Sequence, residues 1–237
     1  MSSATERREA LKRIYLDEAK DCRRCPLHQT RTNVVFGAGD ADADLMFIGE
    51  APGRNEDEQG LPFVGQAGKL LDKLLGEIGL TREQVFVANV LKCRPPGNRD
   101  PQPTEIEQCR DYLDRQVELI EPRVICTLGN FSTKLLRADT TGISRLHGQE
   151  EVRAVGPRAV RLYPLYHPAA ALYTPSTLET LRADFLRIPE LLALPVPDQP
   201  EPVPEVPELE DSPSRSPWRR RAPTRRTSSA CFRGLTP

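Results

Sequence analysis

The sequence predicts an α/β fold: a three-layer α/β/α sandwich with a mainly parallel central sheet. Short apolar runs alternate along the chain with segments of helical periodicity, and that alternation implies parallel strands covered on both faces. At 237 residues and 38% hydrophobic content the chain can bury one core of ordinary size. No internal repeat breaks the pattern.

In chain order, residues 4–21 read as an amphipathic helix, with Ala10, Leu11, Ile14, Tyr15 and Ala19 at helical spacing. A cysteine pair and a loop lead to a strand over Leu45, Met46, Phe47 and Ile48. A Gly-, Pro- and acid-rich loop is expected to about Gly65, then a helix carrying Leu70, Leu71, Leu74, Leu75 and Ile78 on one face. Residues 85–90 (VFVANV) form a second strand, and the prolines and glycine of residues 93–98 require a loop. Thr104 with Glu107 has the pattern of a capping box for a helix bearing Ile106, Cys109, Leu113, Val117 and Ile120. Residues 124–128 and 159–166 supply two further strands, with a short helix after Gly129. Residues 176–192 supply a last helix, bent at Pro189. In such sheets ligands bind beyond the carboxyl ends of the strands, which singles out Gly49, Glu50, Asn89 and His167.

Residues 1–194 are therefore expected to form the domain and residues 195–237 a disordered Pro/Arg-rich tail. Residues 198–211 hold six acidic side chains and no basic one, and residues 215–233 hold seven arginines and no acidic one. The whole chain has a formal charge of −1. Bulk charge therefore does not mark a nucleic-acid binder, and any DNA groove on the body is a local patch. The basic end of the tail offers weak nucleic-acid or protein contacts, or serves only as a solvated linker.

No run approaches the ~18 apolar residues of a membrane span, so no membrane partner is expected. The charged N-terminal stretch has no apolar core of a secretory signal. A cytoplasmic location follows as the expectation, and in that reducing setting clustered cysteines bind metal more often than they pair.

Six cysteines occur. Cys22 and Cys25 form a C-x2-C pair after the first helix; Cys93 sits in the Pro/Gly loop and Cys109 on the next helix. Together they have the makings of a four-thiolate site for zinc or an iron–sulfur cluster, and spacing leaves the metal open. Cys126, in an apolar strand, reads as a core residue, and Cys231 as incidental.

Glu50 follows a buried strand and precedes a Pro-Gly turn, a position suited to acid–base work or to holding water. Gly49, Ala51, Pro52 and Gly53 give the backbone close approach to a ligand. Phe63, in a loop of turn residues, is either a core plug or, beside a base pocket, a stacking platform. Asn89 ends its strand with an amide that can read a base edge offering donor and acceptor, or that closes an Asx turn. His28 and His147 read as polar loop residues. His167 differs because its strand delivers it to the edge shared by Glu50 and Asn89.

GEAPG at residues 49–53, LPFVG at 61–65, VANVLKCRPPGNRDP at 87–101 and YHPAAAL at 166–172 together resemble the family 4 uracil-DNA glycosylases. The likeness runs in order from about Cys22 to Leu192 and leaves the tail uncovered. It implies a repair glycosylase that hydrolyses the N-glycosidic bond of deoxyuridine in single- or double-stranded DNA, as a monomer, leaving an abasic site. It implies a [4Fe–4S] cluster on Cys22, Cys25, Cys93 and Cys109. It also implies Glu50 and His167 as catalytic residues, Phe63 stacking on a flipped uracil, Asn89 reading its edge, and Glu56 helping to keep out thymine. Family members often carry Arg-Asn before the proline after the histidine motif. This chain has Tyr173-Thr174 before Pro175, so Leu172 and Tyr173 are the candidates for the wedge into the DNA stack.

Two rival readings stand beside this one. The first is a relative that traps uracil-DNA covalently through an added histidine in a basic insertion; residues 92–101 carry neither. The second is a non-catalytic, metal-stabilised DNA-binding module, which has no need of Glu50 and His167 at converging strand ends and needs a more basic body.

Overall fold

A computed structural model describes residues 3–200. Its six-stranded sheet comprises β1 (Ala38–Gly39), β2 (Leu45–Gly49), β3 (Phe86–Asn89), β4 (Val124–Leu128), β5 (Glu151–Val155) and β6 (Arg158–Leu165), in the order β1-β3-β2-β4-β6-β5. The four central strands run parallel, in register Phe47↔Val87, Phe47↔Cys126 and Cys126↔Tyr163. The two edges, β1 and β5, are antiparallel. The expected three layers are present.

Alternation along β2 divides the core. Met46 and Ile48 face a cluster with α1 (Ala4–Ile14) and α4 (Pro103–Ile120), through Leu11, Ile14, Leu113 and Val117. Leu45 and Phe47 face α3 (Gln66–Glu77), α8 (Pro175–Leu186) and α9 (Ile188–Ala193), through Leu71, Leu74, Phe185 and Ile188. Every residue of β2 and of β4 is buried, as strands covered on both faces require. The chain moves from β2 outward to β3, then returns to place β4 on the other side of β2. That reversal opens a crevice at the carboxyl ends of β2 and β4.

Several local details differ from expectation. A short helix, α2 (Arg54–Gln59), occupies the loop expected up to Gly65. It is polar, braced by an Arg54–Glu58 pair at 2.8 Å, so it carries no apolar period to read. The capping box of α4 is Gln102 with Glu105, with Pro103 in its first turn, not Thr104 with Glu107. The expected last helix is two helices that meet at Arg187, with Pro189 in the first turn of α9. Neither edge strand was foreseen: β1 has two residues, and β5 exposes Val152 and Ala154 while Glu151 and Arg153 lie half-buried.

The remaining α-helices among the described residues are α5 (Asn130–Arg137), α6 (Ile143–Leu146) and α7 (Pro168–Ala171). Past residue 194 the chain stays attached: Arg161 donates to the Pro195 carbonyl at 2.8 Å, and Gln199 bonds the N–H and C=O of Ala159. The expected tail beyond residue 200, with Cys231, lies outside the described residues. No helix among the described residues is long and apolar enough to cross a membrane.

Candidate active site

Strands β2, β3 and β6 end close together, and each hands a polar group to one cavity of about 360 Å³. Eight of the residues singled out from the sequence line it: Glu50, Ala51, Pro52, Gly53, Glu56, Phe63, Asn89 and His167. Gly49 lies just beneath. A Cβ there would stand 2.4 Å from Asn89 Oδ1 and 2.8 Å from the Phe63 ring, so only glycine lets both residues reach the cavity.

Phe63 is buried and adopts a left-handed backbone, φ 54°, which costs about 1 kcal/mol or more in a non-glycine residue. Two features hold it there. Glu56 Oε1 accepts the N–H groups of Val64 and Gly65, both at 3.0 Å. Helix α3 then approaches so closely at Gly68 that a Cβ would lie 1.7 Å from the Phe63 carbonyl oxygen. The Phe63 ring stacks on His167.

His167 caps α7, and its Nδ1 accepts the Ala169 N–H at 3.1 Å. An accepting Nδ1 puts the ring proton of the neutral imidazole on Nε2. Desolvation lowers the pKa to about 4, with Glu56 pulling weakly the other way, so the ring is neutral at physiological pH. Glu50 is half-buried, and its carboxyl is raised, first by burial and then by the charge of Asp100. Asn89 is 2% exposed. Among the described residues neither the Glu50 carboxylate nor the Asn89 side-chain amide has a hydrogen-bond partner. A cavity with an aromatic wall, an unpartnered amide, a carboxylate and a neutral imidazole donor can hold a planar heterocycle and stabilise an anion on it.

A second cavity, about 680 Å³, adjoins the first, shares Glu50 and His167, and runs past Gly129, Asn130, Phe131 and Lys134. Sequence reading missed these residues, as it missed Asn98 and Arg99 in the wall of the first cavity. Arg99 donates to both carboxylate oxygens of Glu105, at 3.0 and 2.6 Å, and Glu105 is 1% exposed. The available signal was a pair of polar side chains in a Pro/Gly loop just after Cys93. Leu172 and Tyr173 follow α7 and are exposed, Tyr173 at 87%. His147 proves more than a polar loop residue, since its Nδ1 pairs with Asp184 Oδ2 at 2.9 Å. His28 Nδ1 lies 2.9 Å from the Cys25 carbonyl.

The four expected ligand cysteines come together on the opposite side of the loop that follows β3. Cys22, Cys25, Cys93 and Cys109 line one enclosed cavity with Arg31, Lys92 and Tyr112, and all four thiols are free. No group of three His, Cys, Asp or Glu side chains among the described residues could hold a single metal ion. Arg31 donates to Cys93 Sγ and the Lys92 backbone N–H to Cys109 Sγ, each at 3.3 Å. Such donors suit thiolates. The Tyr112 hydroxyl is buried in this wall against Cys22. Burial pushes Cys93 up to about 12 and raises Cys25 and Cys109, the direction expected of thiols shut away from water. Cys126 is fully buried in the core, as expected.

Residues 36–188 match the sequence family described as the uracil DNA glycosylase superfamily. A type-4 uracil-DNA glycosylase of Archaeoglobus fulgidus is 51% identical over 179 residues, 73% of this chain and 89% of that protein. One of Sulfurisphaera tokodaii is 48% identical over 184 residues, 76% of this chain and 84% of that protein. A type-5 uracil-DNA glycosylase of Pyrobaculum aerophilum is 32% identical over 170 residues, 63% of this chain and 72% of that protein. With both the matched family and these identities spanning sheet and site, the chain belongs to the uracil DNA glycosylase superfamily, on its type-4 branch.

Proposed function

We propose that this protein hydrolyses the N-glycosidic bond of deoxyuridine in DNA, releases uracil and leaves an abasic site. The observation that carries the reading is the fixed tautomer of His167: a neutral ring with its Nε2 proton available in the cavity that Glu50, Phe63 and Asn89 also line. Bond cleavage develops positive charge on the sugar and negative charge on the departing uracil, chiefly at its carbonyl oxygens. His167 Nε2–H donates to that oxygen, a kind of interaction worth about 3–4 kcal/mol. Glu50, as carboxylate, stabilises the sugar cation and orients the attacking water. Phe63 stacks on the flipped base and Asn89 bonds its edge, offsetting the few kcal/mol that flipping costs. Glu56 holds the loop that carries Phe63 and borders the space where the C5 methyl of thymine would lie.

Cys22, Cys25, Cys93 and Cys109 are the residues that would hold a [4Fe–4S] cluster. Bound there, it cross-links the first helix, the loop after β3 and α4, and supplies no chemistry at the scissile bond. The four thiols on one cavity and the N–H donors on two of their sulfurs support this assignment. The partner is uracil-containing DNA, single- or double-stranded, met by the protein as a monomer.

A uracil-release assay on defined oligonucleotides tests the reading. Wild type is expected to release many equivalents of free uracil, and His167→Ala to lose on the order of 10²–10³ in rate with little change in DNA affinity. A protein–DNA adduct that survives denaturation, with no more than one equivalent of uracil, would indicate the covalent trap. Neither uracil nor adduct, with binding indifferent to uracil, would indicate a DNA-binding module.

A further inference from the structure

Lys92 is 1% exposed and lies between the cysteine cavity, which it lines, and the base cavity. An ammonium taken out of water needs compensating charge. Its hydrogen-bond partners supply none: Nζ donates to the Asn89 carbonyl at 2.9 Å and to Gln116 Oε1 at 2.6 Å. Gln116 is itself fixed, because its Nε2 donates to the Phe36 carbonyl at 2.9 Å. The Phe36 ring centroid is 5.8 Å from Nζ. Among the described residues no carboxylate forms an ion pair with Lys92. The groups of potential negative charge beside it are Cys93 and Cys109, and its own backbone N–H reaches Cys109 Sγ.

The other end of this arrangement is the base-reading residue. Asn89 is the last residue of β3; the Val90 and Leu91 N–H groups carry the bonding to Gly49 and Glu50 beyond it, and the donor to the Asn89 carbonyl itself is the buried ammonium. We propose that Lys92 is a positioning residue for Asn89, the internal counter-cation of the four-cysteine site, and so the link through which that site sets uracil recognition. This rests on the glycosylase reading and on the cysteines holding an iron–sulfur centre. With anionic ligands in place, the ammonium is compensated and keeps both its acceptors. Without them it has only neutral acceptors, and its hold on the Asn89 carbonyl, which adds to the Val90 and Leu91 N–H bonds to β2, weakens.

The test uses the full-length, iron-loaded protein and Lys92→Met, which keeps the apolar stem and removes charge and donors. Inhibition by free uracil, the KM–kcat split and the reduction potential of the iron centre are measured beside wild type. The inhibition constant and KM are expected to rise about tenfold, the range of outer-shell substitutions, with kcat changed far less. The potential is expected to move negative, because a neighbouring cation has been removed. Should Lys92→Met not accumulate folded, Gln116→Leu, which leaves the ammonium one neutral acceptor, is expected to raise the uracil constant in the same direction. An unchanged uracil constant in whichever variant folds overturns the proposal, even if the potential moves. Wild type that binds no uracil or carries no iron overturns the underlying reading instead.

Discussion

The ring of Phe63 stacks on that of His167, with centroids 5.6 Å apart and planes inclined by 26°. The first comes from the loop between α2 and α3, the second from the end of β6, and they form one continuous wall of the base cavity. The platform on which a base rests is therefore also the surface that keeps water from the imidazole. Binding and the protonation state of the leaving-group donor are not separate properties of this site.

Phe63→Ala tests that coupling. Losing a stacking partner costs about 1–3 kcal/mol per base, so KM should rise by roughly tenfold or more. Admitting water should also let the His167 pKa climb from about 4 toward its ordinary 6.5. The neutral ring is the active form, so activity falls as pH drops through this pKa, and the fall should begin at higher pH in the variant. Titration of the His167 ring by NMR checks it; a pKa that stays near wild type would break the link.

Gly68→Ala should behave opposite to rule. Inside a helix that change ordinarily gains about 1 kcal/mol, but here the new methyl would meet the Phe63 carbonyl oxygen at 1.7 Å. Overpacking of this kind costs about 1–3 kcal/mol. A lower melting temperature together with weaker uracil inhibition is expected. An equal or higher melting temperature would mean that α3 can slide away without disturbing Phe63.

Glu56 accepts two backbone N–H groups of the Phe63 loop through a single oxygen. Glu56→Ala should lose about 2 kcal/mol of stability, the range for bonds to a charged acceptor, and relax rejection of the C5 methyl, so that thymine in a mismatch is attacked. Glu56→Gln keeps an acceptor oxygen and should retain most of both properties. If Glu56→Ala excludes thymine as strictly as wild type while excising uracil, Glu56 is not the gate.

The sheet and its carboxyl edge were legible because β2, β3 and β4 are short runs dominated by apolar residues and β6 ends in one, so their next polar residues fall at the same rim. Glu50, Asn89 and His167 followed from that rule. Elements without a hydrophobic period were not legible: α2 is polar throughout, β1 is two residues long, and β5 has one wet face. Lys92 was invisible for another reason. A lysine in VLKCRPP reads as an exposed side chain, and it is residues distant in sequence, Gln116 of α4 and Phe36, that meet its ammonium in the interior.

The cysteine site predicts a split between two kinds of buried thiol. Anaerobically purified protein should carry about four irons per chain. Cys109→Ala should lose iron and melt earlier, because ligation and folding are coupled. Cys126, equally buried but on β4 away from the cavity, should tolerate alanine with full iron content. Stoichiometric zinc in protein made with ample iron would overturn the assignment.

Glu50 should trade stability for catalysis. Burial, and then Asp100, raise its carboxyl above the ordinary value. Between the ordinary and the raised pKa the folded state therefore binds more protons than the unfolded, and stability falls as pH rises through that window. Activity needs the carboxylate, so it rises over the same window. Glu50→Gln should consequently melt higher than wild type at neutral pH, lose that advantage in acid where wild-type Glu50 is protonated, and cleave uracil-DNA at least about a hundredfold more slowly. Asp100→Asn removes the smaller of the two causes: the acid limb of kcat should move to lower pH with the plateau rate nearly intact. Melting curves and single-turnover rates from pH 4 to 8 decide both. A Glu50→Gln variant no more stable than wild type at neutral pH, or an acid limb indifferent to Asp100, would mean that the carboxylate is compensated by a partner and is not held ready for the sugar cation.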